Sequence, residues 1–119
     1  MKNTKILFTI AMLLAFIVHA QAQNNTDTLQ IQTSAQCGMC KETLEKTMAY
    51  EKGVIASSLE METKVLKVVY KPNRTDAAKI RKAISDAGYD ADNVKANERA
   101  YSKLPACCKK PDDPDHKKM

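Results

Sequence analysis

The apolar residues of this chain switch repeatedly between two spacings, one typical of strands and one typical of helices. Residues 29–35 alternate apolar and polar side chains, which predicts a strand with one buried face. From Cys40 onward the spacing changes, and Leu44 and Met48 recur four apart. That spacing predicts an amphipathic helix, which Gly53 ends.

The next forty residues repeat the switch. Residues 54–62 and 65–70 alternate around a short turn and predict a β-hairpin, with a bulge near Ser57-Ser58. Thr75-Asp76 is typical of a helix start, and a final short strand is predicted over 92–96. The order βαββαβ predicts an α+β, ferredoxin-like sandwich, with a four-stranded antiparallel sheet and two helices on one face. The predicted core is Leu29, Ile31, Leu44, Met48, Val54, Leu59, Val65, Val68, Ile80, Ile84 and Val94.

The N-terminal residues predict export. Lys2 and Lys5 precede an apolar run over residues 6–18, and residues 20–22 (Ala-Gln-Ala) form a small-x-small cleavage pattern. The run is shorter than the about 20 residues of a membrane span, although an uncleaved anchor helix is the alternative. We expect residues 1–22 to be a signal peptide, the only part that meets a membrane, and the mature chain to be periplasmic or secreted.

The remaining chain divides into three parts. Residues 23–28 are a polar, flexible lead-in, and residues 29–97 hold the folded domain. Residues 98–119 form a cysteine-containing tail, in which a short helix stops at Pro105. The charged run that ends the tail predicts that it is largely disordered.

Charge and composition exclude several classes of function. The net charge is only +5, and aromatic residues make up 5% of the chain. A nucleic-acid partner needs a dense basic face or a set of stacking aromatic rings, so none is expected. The sequence also has neither a phosphate-binding glycine loop nor a nucleophile–His–acid set. We therefore expect no enzymatic activity.

Cys37-Gly38-Met39-Cys40 places two thiols at the predicted strand-to-helix turn. Cys40 falls in the first helical turn, where free backbone N–H groups and the helix dipole favour thiolate over thiol. Thiolates select soft ions, and two of them suit Cu(I) or Hg(II), whereas Zn(II) needs two more ligands. A disulfide, or the dithiol of a thiol–disulfide oxidoreductase, fits the same pair.

A second pair, Cys107-Cys108, lies in the tail. Adjacent cysteines form a disulfide only with strain. The linking residues are long enough to bring the tail back to the first pair. One hypothesis is therefore that Cys107 and Cys108 add one or two thiolates to the metal site of Cys37 and Cys40. An independent or intermolecular role for the tail pair is the alternative.

A CxxC at the first β-to-α turn of a βαββαβ chain resembles the heavy-metal-associated domain family. That family includes copper chaperones, N-terminal domains of metal-pumping ATPases and periplasmic mercury-binding proteins. The sequence departs from it at Ser34-Ala35-Gln36, where the family usually has Gly-Met-x, so Ala35 is expected to support the metal loop less. The matching segments are Cys37-Gly38-Met39-Cys40, Leu44-Glu45, Met48, Gly53-Val54, residues 68–72, Ile80, Ala83-Ile84 and Gly88-Tyr89-Asp90-Ala91.

The resemblance also gives Tyr89 a role, since it matches an aromatic position near the metal loop. There Tyr89 would shield the ion, and simple core packing is the alternative. The expected function is an exported carrier of a soft metal ion, Cu(I) first and Hg(II) or Zn(II) as alternatives. The expected partner is a metal transporter or another thiolate protein. A thiol–disulfide oxidoreductase and a metal-sequestering module are the competing functions.

Overall fold

The structure is a computed structural model that describes residues 25–118. The predicted signal peptide, residues 1–22, lies outside the described residues. None of the helices within 25–118 has the length and apolar character that crossing a membrane requires. The elements are β1 (Asp27–Gln32), α1 (Gly38–Tyr50), β2 (Val54–Leu59), β3 (Val65–Tyr70), α2 (Ala77–Asp86), α3 (Glu98–Ser102) and two 3-10 helices, Ala106–Cys108 and Pro114–Lys118.

The strands form an antiparallel sheet in the order β1-β3-β2. On its inner face Ile31 lies opposite Leu66, and Leu66 lies opposite Leu59. These side chains are buried together with residues from α1 and α2, and each contributes about 1.5–3 kcal/mol through burial. The outer face is polar, with Gln30 and Lys67 exposed. The α+β, ferredoxin-like fold is therefore the one that the spacing predicts.

The predicted fourth strand over 92–96 is wrong for the described chain, whose sheet has three strands. Ala91 makes isolated bridges to Thr33 and Val94 only. Ala91 and Val94 exchange both backbone hydrogen bonds at 2.9 Å, which closes a tight turn around Asp92 at φ 52°. The Asp92 carboxylate also accepts the Gln32 backbone N–H at 2.9 Å, so it occupies the edge of β1 that a fourth strand would use.

The helix signals are largely confirmed. The Asp76 carboxylate accepts the Lys79 backbone N–H at 2.8 Å, which caps α2 as predicted. Gly88 follows α2 at φ +101°, and a Cβ there would stand 3.1 Å from the backbone of Ala100 in α3. Glycine is needed at this position because α3 packs directly on the end of α2. The irregularity in β2 lies between Val54 and Ala56 rather than at Ser57-Ser58.

The residues after the domain fold back onto it. We call residues 98–118 the C-terminal arm. Where the sequence predicts a largely disordered tail, Lys110 pairs with Asp90 at 2.7 Å across the junction between arm and domain. Within the arm, the Tyr101 hydroxyl donates to Asp113 at 2.8 Å and accepts the Lys110 backbone N–H at 3.0 Å. The charges of this run are thus partly neutralised, by the Lys109–Asp115 ion pair within the arm and by the Lys110–Asp90 ion pair to the domain.

Candidate metal centre

The first cysteine pair lies where β1 gives way to α1. Cys37 is the N-cap residue with extended backbone angles, and Cys40 is the third residue of the helix. Their Sγ atoms are 3.5 Å apart. Cys40 is fully buried, whereas Cys37 is partly exposed. The predicted position of the CxxC, at a strand-to-helix turn with Cys40 in the first turn, is confirmed.

Polar contacts hold the loop that precedes Cys37. Ala35, at the position where the family usually has Met, is buried in the core. The Thr33 hydroxyl accepts the Ala35 backbone N–H at 3.3 Å, and the Lys64 ammonium donates to the Gln36 carbonyl at 3.2 Å. Ser34 Oγ accepts the Asp90 backbone N–H at 2.8 Å. These bonds hold the loop in place, and the effect of Ala35 on its support stays a prediction.

The C-terminal arm brings the second cysteine pair to the first. Cys108 Sγ lies 3.6 Å from Cys37 Sγ, and Cys107 Sγ lies 3.3 Å from it. The sulfurs of Cys37, Cys40 and Cys108 all lie within 4.8 Å of one another. Cys107 instead lies 3.7 Å from the Met39 sulfur, on the more exposed side. The return of the tail to the first site is therefore seen in the structure, while metal ligation by these four cysteines stays a prediction.

Tyr89 closes the inner side of the sulfur cluster. Its side chain is 1% exposed, and among the described residues its hydroxyl has no hydrogen-bond partner within normal geometry. Burial raises the pKa of Tyr89, and the neighbouring thiols of Cys40 and Cys108 raise it further. Tyr89 therefore keeps its proton and has a hydrogen-bond donor beside two sulfurs. Tyr89 packs in the core beside these two thiols, and its shielding of an ion stays a prediction.

The surroundings make Cys37 the most acidic of the clustered thiols with a resolved shift. Burial works against ionisation, but hydrogen bonds from the Cys40 backbone and from the other three thiols outweigh it and lower the pKa of Cys37 to about 7. Burial raises the pKa of Cys108, and a hydrogen bond to Cys37 raises that of Cys107. The thiolate of Cys37 thus forms readily near neutral pH, whereas Cys107 and Cys108 would need a cation to replace their protons.

The donor set fits a soft ion. Within residues 25–118, the potential ligands that come together here are all cysteine sulfurs, which are free thiols. Thiolate sulfur binds Cu(I), Hg(II) and Zn(II) in preference to hard cations. A polar cleft of about 380 Å³ lies elsewhere, where the arm meets the domain, and cysteines are absent from its lining residues. The candidate metal ligands are therefore at the sulfur cluster rather than in this cleft.

The residues that sequence reasoning missed are those that hold the arm. Lys110 and Asp90 form the ion pair across the junction, and Tyr101 joins Asp113 within the arm. In the sequence Lys110 is one lysine of a charged run, and nothing in that run distinguishes it from its neighbours. The sequence offers one signal for this ion pair. Lys110 lies two residues after Cys108, and Asp90 directly follows Tyr89, so each partner is close in sequence to a residue of the candidate site.

Comparisons with known proteins agree with this geometry. Residues 33–90 match the family model of the heavy-metal-associated domain. No curated protein sequence matches the chain significantly. Several solved structures do match the chain. Oxidized MerP from Ralstonia metallidurans is 28% identical with a TM-score of 0.55, and the match covers 57% of this chain and 96% of MerP.

Two further structures carry metals in their descriptions. The copper binding domain from HMA7, a P-type ATPase, is 26% identical with a TM-score of 0.53, over 55% of this chain and 89% of that one. The N-terminal domain of the zinc(II) ATPase ZiaA is 29% identical with a TM-score of 0.51, and the match covers 56% of this chain and 64% of that one. The similar structures thus span more than one metal.

Proposed function

Since this chain contains a heavy-metal-associated domain at residues 33–90, we propose that it is an exported carrier of a soft metal ion. The ion binds to the thiolates of Cys37 and Cys40 and passes to a partner by ligand exchange. The observation that carries the proposal is the 3.5 Å approach of the two sulfurs at the N-terminus of α1. The backbone there favours the thiolate of Cys37, and both sulfurs point into one space.

Cu(I) is the proposed cargo. The clustered donors are sulfur atoms, and soft monovalent copper accepts low coordination by thiolates. Hg(II) is also a soft ion that accepts low coordination by thiolates. Zn(II) normally takes four ligands, so it would need all four cysteines, and Cys107 lies outside the tight set of three. The similar structures include both a copper binding domain and a domain of a zinc(II) ATPase, so the order rests on the donor set.

The exposure of the two thiols suggests a route for transfer. Cys40 is buried, whereas Cys37 is partly exposed, so an incoming thiolate reaches the ion from the Cys37 side. The incoming sulfur bonds to the ion before a carrier sulfur leaves, which keeps the ion bound throughout. A metal transporter or another exported protein with a thiolate pair is the partner that this chemistry needs.

Export is part of the proposal and rests on residues 1–22. The mass of the protein recovered from the periplasm or the medium tests it. Cleavage after Ala22 gives a chain that begins at Gln23. Recovery of the uncleaved chain in the membrane fraction would contradict export as a free carrier.

Anaerobic Cu(I) titration beside an insulin-reduction assay tests the function itself. A chromophoric Cu(I) chelator competes with the protein, and the expected result is one tightly held ion per chain with negligible insulin reduction. The competing function, thiol–disulfide oxidoreductase, uses the same low pKa of Cys37. Rapid insulin reduction without metal uptake would replace the carrier proposal with that one.

Sequestration is the second candidate, favoured by the C-terminal arm that covers the cluster. A carrier and a sequestering module differ in how readily they release the ion. The loaded protein is mixed with an apo heavy-metal-associated domain of comparable affinity, and the metal is followed by size separation. Transfer within minutes supports a carrier, and retention over hours supports sequestration.

A further inference from the structure

We propose that Cys108, supplied by the C-terminal arm, is a third thiolate ligand, so that the chain closes a three-sulfur site by itself. This inference rests on the proposed function, since it concerns the same ion at Cys37 and Cys40. It adds a ligand from a segment outside residues 33–90, the part of the chain that the family model covers.

The sulfur spacing favours three ligands over two. With metal–sulfur bonds of about 2.3 Å, two sulfurs on opposite sides of an ion stand about 4.6 Å apart, and three around it about 4.0 Å apart. Cys37 Sγ lies 3.5 Å from Cys40 Sγ and 3.6 Å from Cys108 Sγ. A three-sulfur site therefore needs a shift of about half an ångström, whereas a linear pair must open by about an ångström.

Tyr89 is the second, independent observation. Its buried hydroxyl is unpartnered among the described residues and lies beside the thiols of Cys40 and Cys108. A buried donor without an acceptor is costly, and a thiolate is an acceptor. Three thiolates around Cu(I) carry a net negative charge, which the O–H dipole of Tyr89 offsets. The donor is thus placed for sulfurs from both the helix and the arm.

The arm is built to hold Cys108 in place. The Cys108 backbone N–H donates to the Pro105 carbonyl at 2.9 Å, which forms the 3-10 turn that points its side chain inward. Cys108 is 2% exposed. Two residues later Lys110 pairs with Asp90, the neighbour of Tyr89. The ion pair therefore fixes the arm at the point where its sulfur meets the site.

Cys107 is the natural control. It shares the same 3-10 turn, and its sulfur lies 3.3 Å from Cys37 Sγ. Its sulfur is nevertheless outside the set of three and lies beside Met39 on the more exposed side. A role for the arm in general would involve both cysteines, whereas ligation by Cys108 involves one. In transfer, a partner thiolate bonds to the ion and the Cys108–metal bond breaks, so the number of metal–sulfur bonds and the oxidation state are unchanged.

Copper X-ray absorption on the purified protein, loaded anaerobically with one Cu(I), tests the proposal. We expect three sulfur neighbours in the wild type and in Cys107→Ser, and two in Cys108→Ser and Cys108→Ala. Competition with a Cu(I) chelator should show at least about tenfold weaker binding for both Cys108 variants, because an intramolecular ligand acts at a millimolar effective concentration. Thermal unfolding of the metal-free variants confirms that each is folded, and the Ala variant avoids burying a new hydroxyl.

Two sulfurs in the wild type would overturn the proposal, as would equal losses in the Cys107 and Cys108 variants. Failure of the carrier function looks different. In that case the wild type takes up no Cu(I), and Cys37→Ser changes nothing. One Cu(I) per chain in every Cys107 and Cys108 variant, with a lower sulfur count only in the two Cys108 variants, separates the two ideas.

Discussion

The two cysteine pairs reach the same cluster by different physical means. Cys37 and Cys40 are fixed by the backbone, one as the N-cap of α1 and the other in its first turn. Cys107 and Cys108 sit in a three-residue 3-10 turn, which the Lys110–Asp90 ion pair ties to the domain. The helix pair is therefore fixed by local backbone structure, whereas the arm is held by the Lys110–Asp90 ion pair and by the packing of Leu104 and Cys108 against the core.

That difference suggests a division of labour. In the proposed function, the helix pair would hold the ion, and the arm would cover it and give way to a partner. Cys37 contacts both regions, since its sulfur lies within 3.6 Å of the other three. Substitutions in the two regions should therefore have effects of different size on Cu(I) affinity.

Loss of a sulfur from the helix pair should have the largest effect on Cu(I) affinity. Cys37→Ser removes the sulfur that all the others approach, so Cu(I) affinity should fall by about a hundredfold or more, in line with the tenfold per 1.4 kcal/mol of binding free energy. Chelator competition measures it. Cys107→Ser is the matched control and should stay within a few-fold of the wild type. Equal losses in the two variants would erase the distinction between the pairs.

Ionisation of Cys37 should give the next largest effect. With a pKa of about 7 instead of 9.0, Cys37 is about half thiolate at pH 7, where an ordinary thiol is about one per cent ionised. Its alkylation by iodoacetamide in the metal-free protein should rise with pH to a midpoint near 7, while Cys108, whose pKa is raised, stays slow. Peptide mass mapping across pH 5–10 reads this out. A midpoint near 9 for Cys37 would contradict it.

Tyr89→Phe should act in opposite directions on the two states. Removing an unpartnered buried hydroxyl should stabilise the metal-free protein by about 1 kcal/mol, a rise of a few degrees in Tm. Loss of a hydrogen bond to a thiolate should weaken Cu(I) binding by about tenfold. Tyr50→Phe is the control, since Tyr50 is 83% exposed. If Tyr89→Phe raised both the stability and the Cu(I) affinity, or lowered both, the Tyr89 hydroxyl would not be a hydrogen-bond donor to the metal-bound thiolates.

Breaking the ion pair at the junction should have the smallest effect. Lys110→Ala removes one partly exposed salt bridge, worth about 0.2–1 kcal/mol, so Cu(I) affinity should fall no more than about fivefold and transfer to an acceptor domain should quicken. Lys103→Ala, on an exposed side chain of the same arm, is the control. Slower transfer from Lys110→Ala would mean that the arm assists release instead of restraining it.

The same ion pair sets a pH dependence. Burial opposes ionisation of Asp90, but Lys110 and the Ala96 amide hold its pKa below the ordinary 3.8, while Asp90 raises the pKa of Lys110 above 10.5. The contribution of Asp90 is therefore complete above its ordinary pKa and is lost as the pH falls through the lowered one. The difference between the Lys110→Ala protein and the wild type should vanish in strong acid.

Much of the domain follows from the sequence because periodicity reports burial. The helices, the hairpin and the CxxC at the turn are where the spacing predicts them. The core prediction was wrong in β3. It placed both Val65 and Val68 in the core, but residues three apart in a strand point to opposite faces of the sheet. In the structure Leu66 and Val68 point inward. Val94, a predicted core residue, is 36% exposed because it lies in the turn that replaces the fourth strand.

The arm and its sulfurs follow from the sequence only as a hypothesis. Chain length shows that Cys108 can return to Cys37, but the return is held by the Lys110–Asp90 and Tyr101–Asp113 contacts. Such pairings between distant polar residues leave no periodic trace in a charged run. The same holds for Asp92, whose carboxylate caps the edge of β1 and displaces a strand that spacing alone would predict.

The metal content of the protein purified without air tests whether this chain carries Cu(I). We expect about one Cu(I) per chain, with the ion lost when Cys37 and Cys40 are both changed to Ser. A chain recovered without metal, with Cys37 and Cys40 joined in a disulfide and unable to take up Cu(I) after reduction, would contradict it.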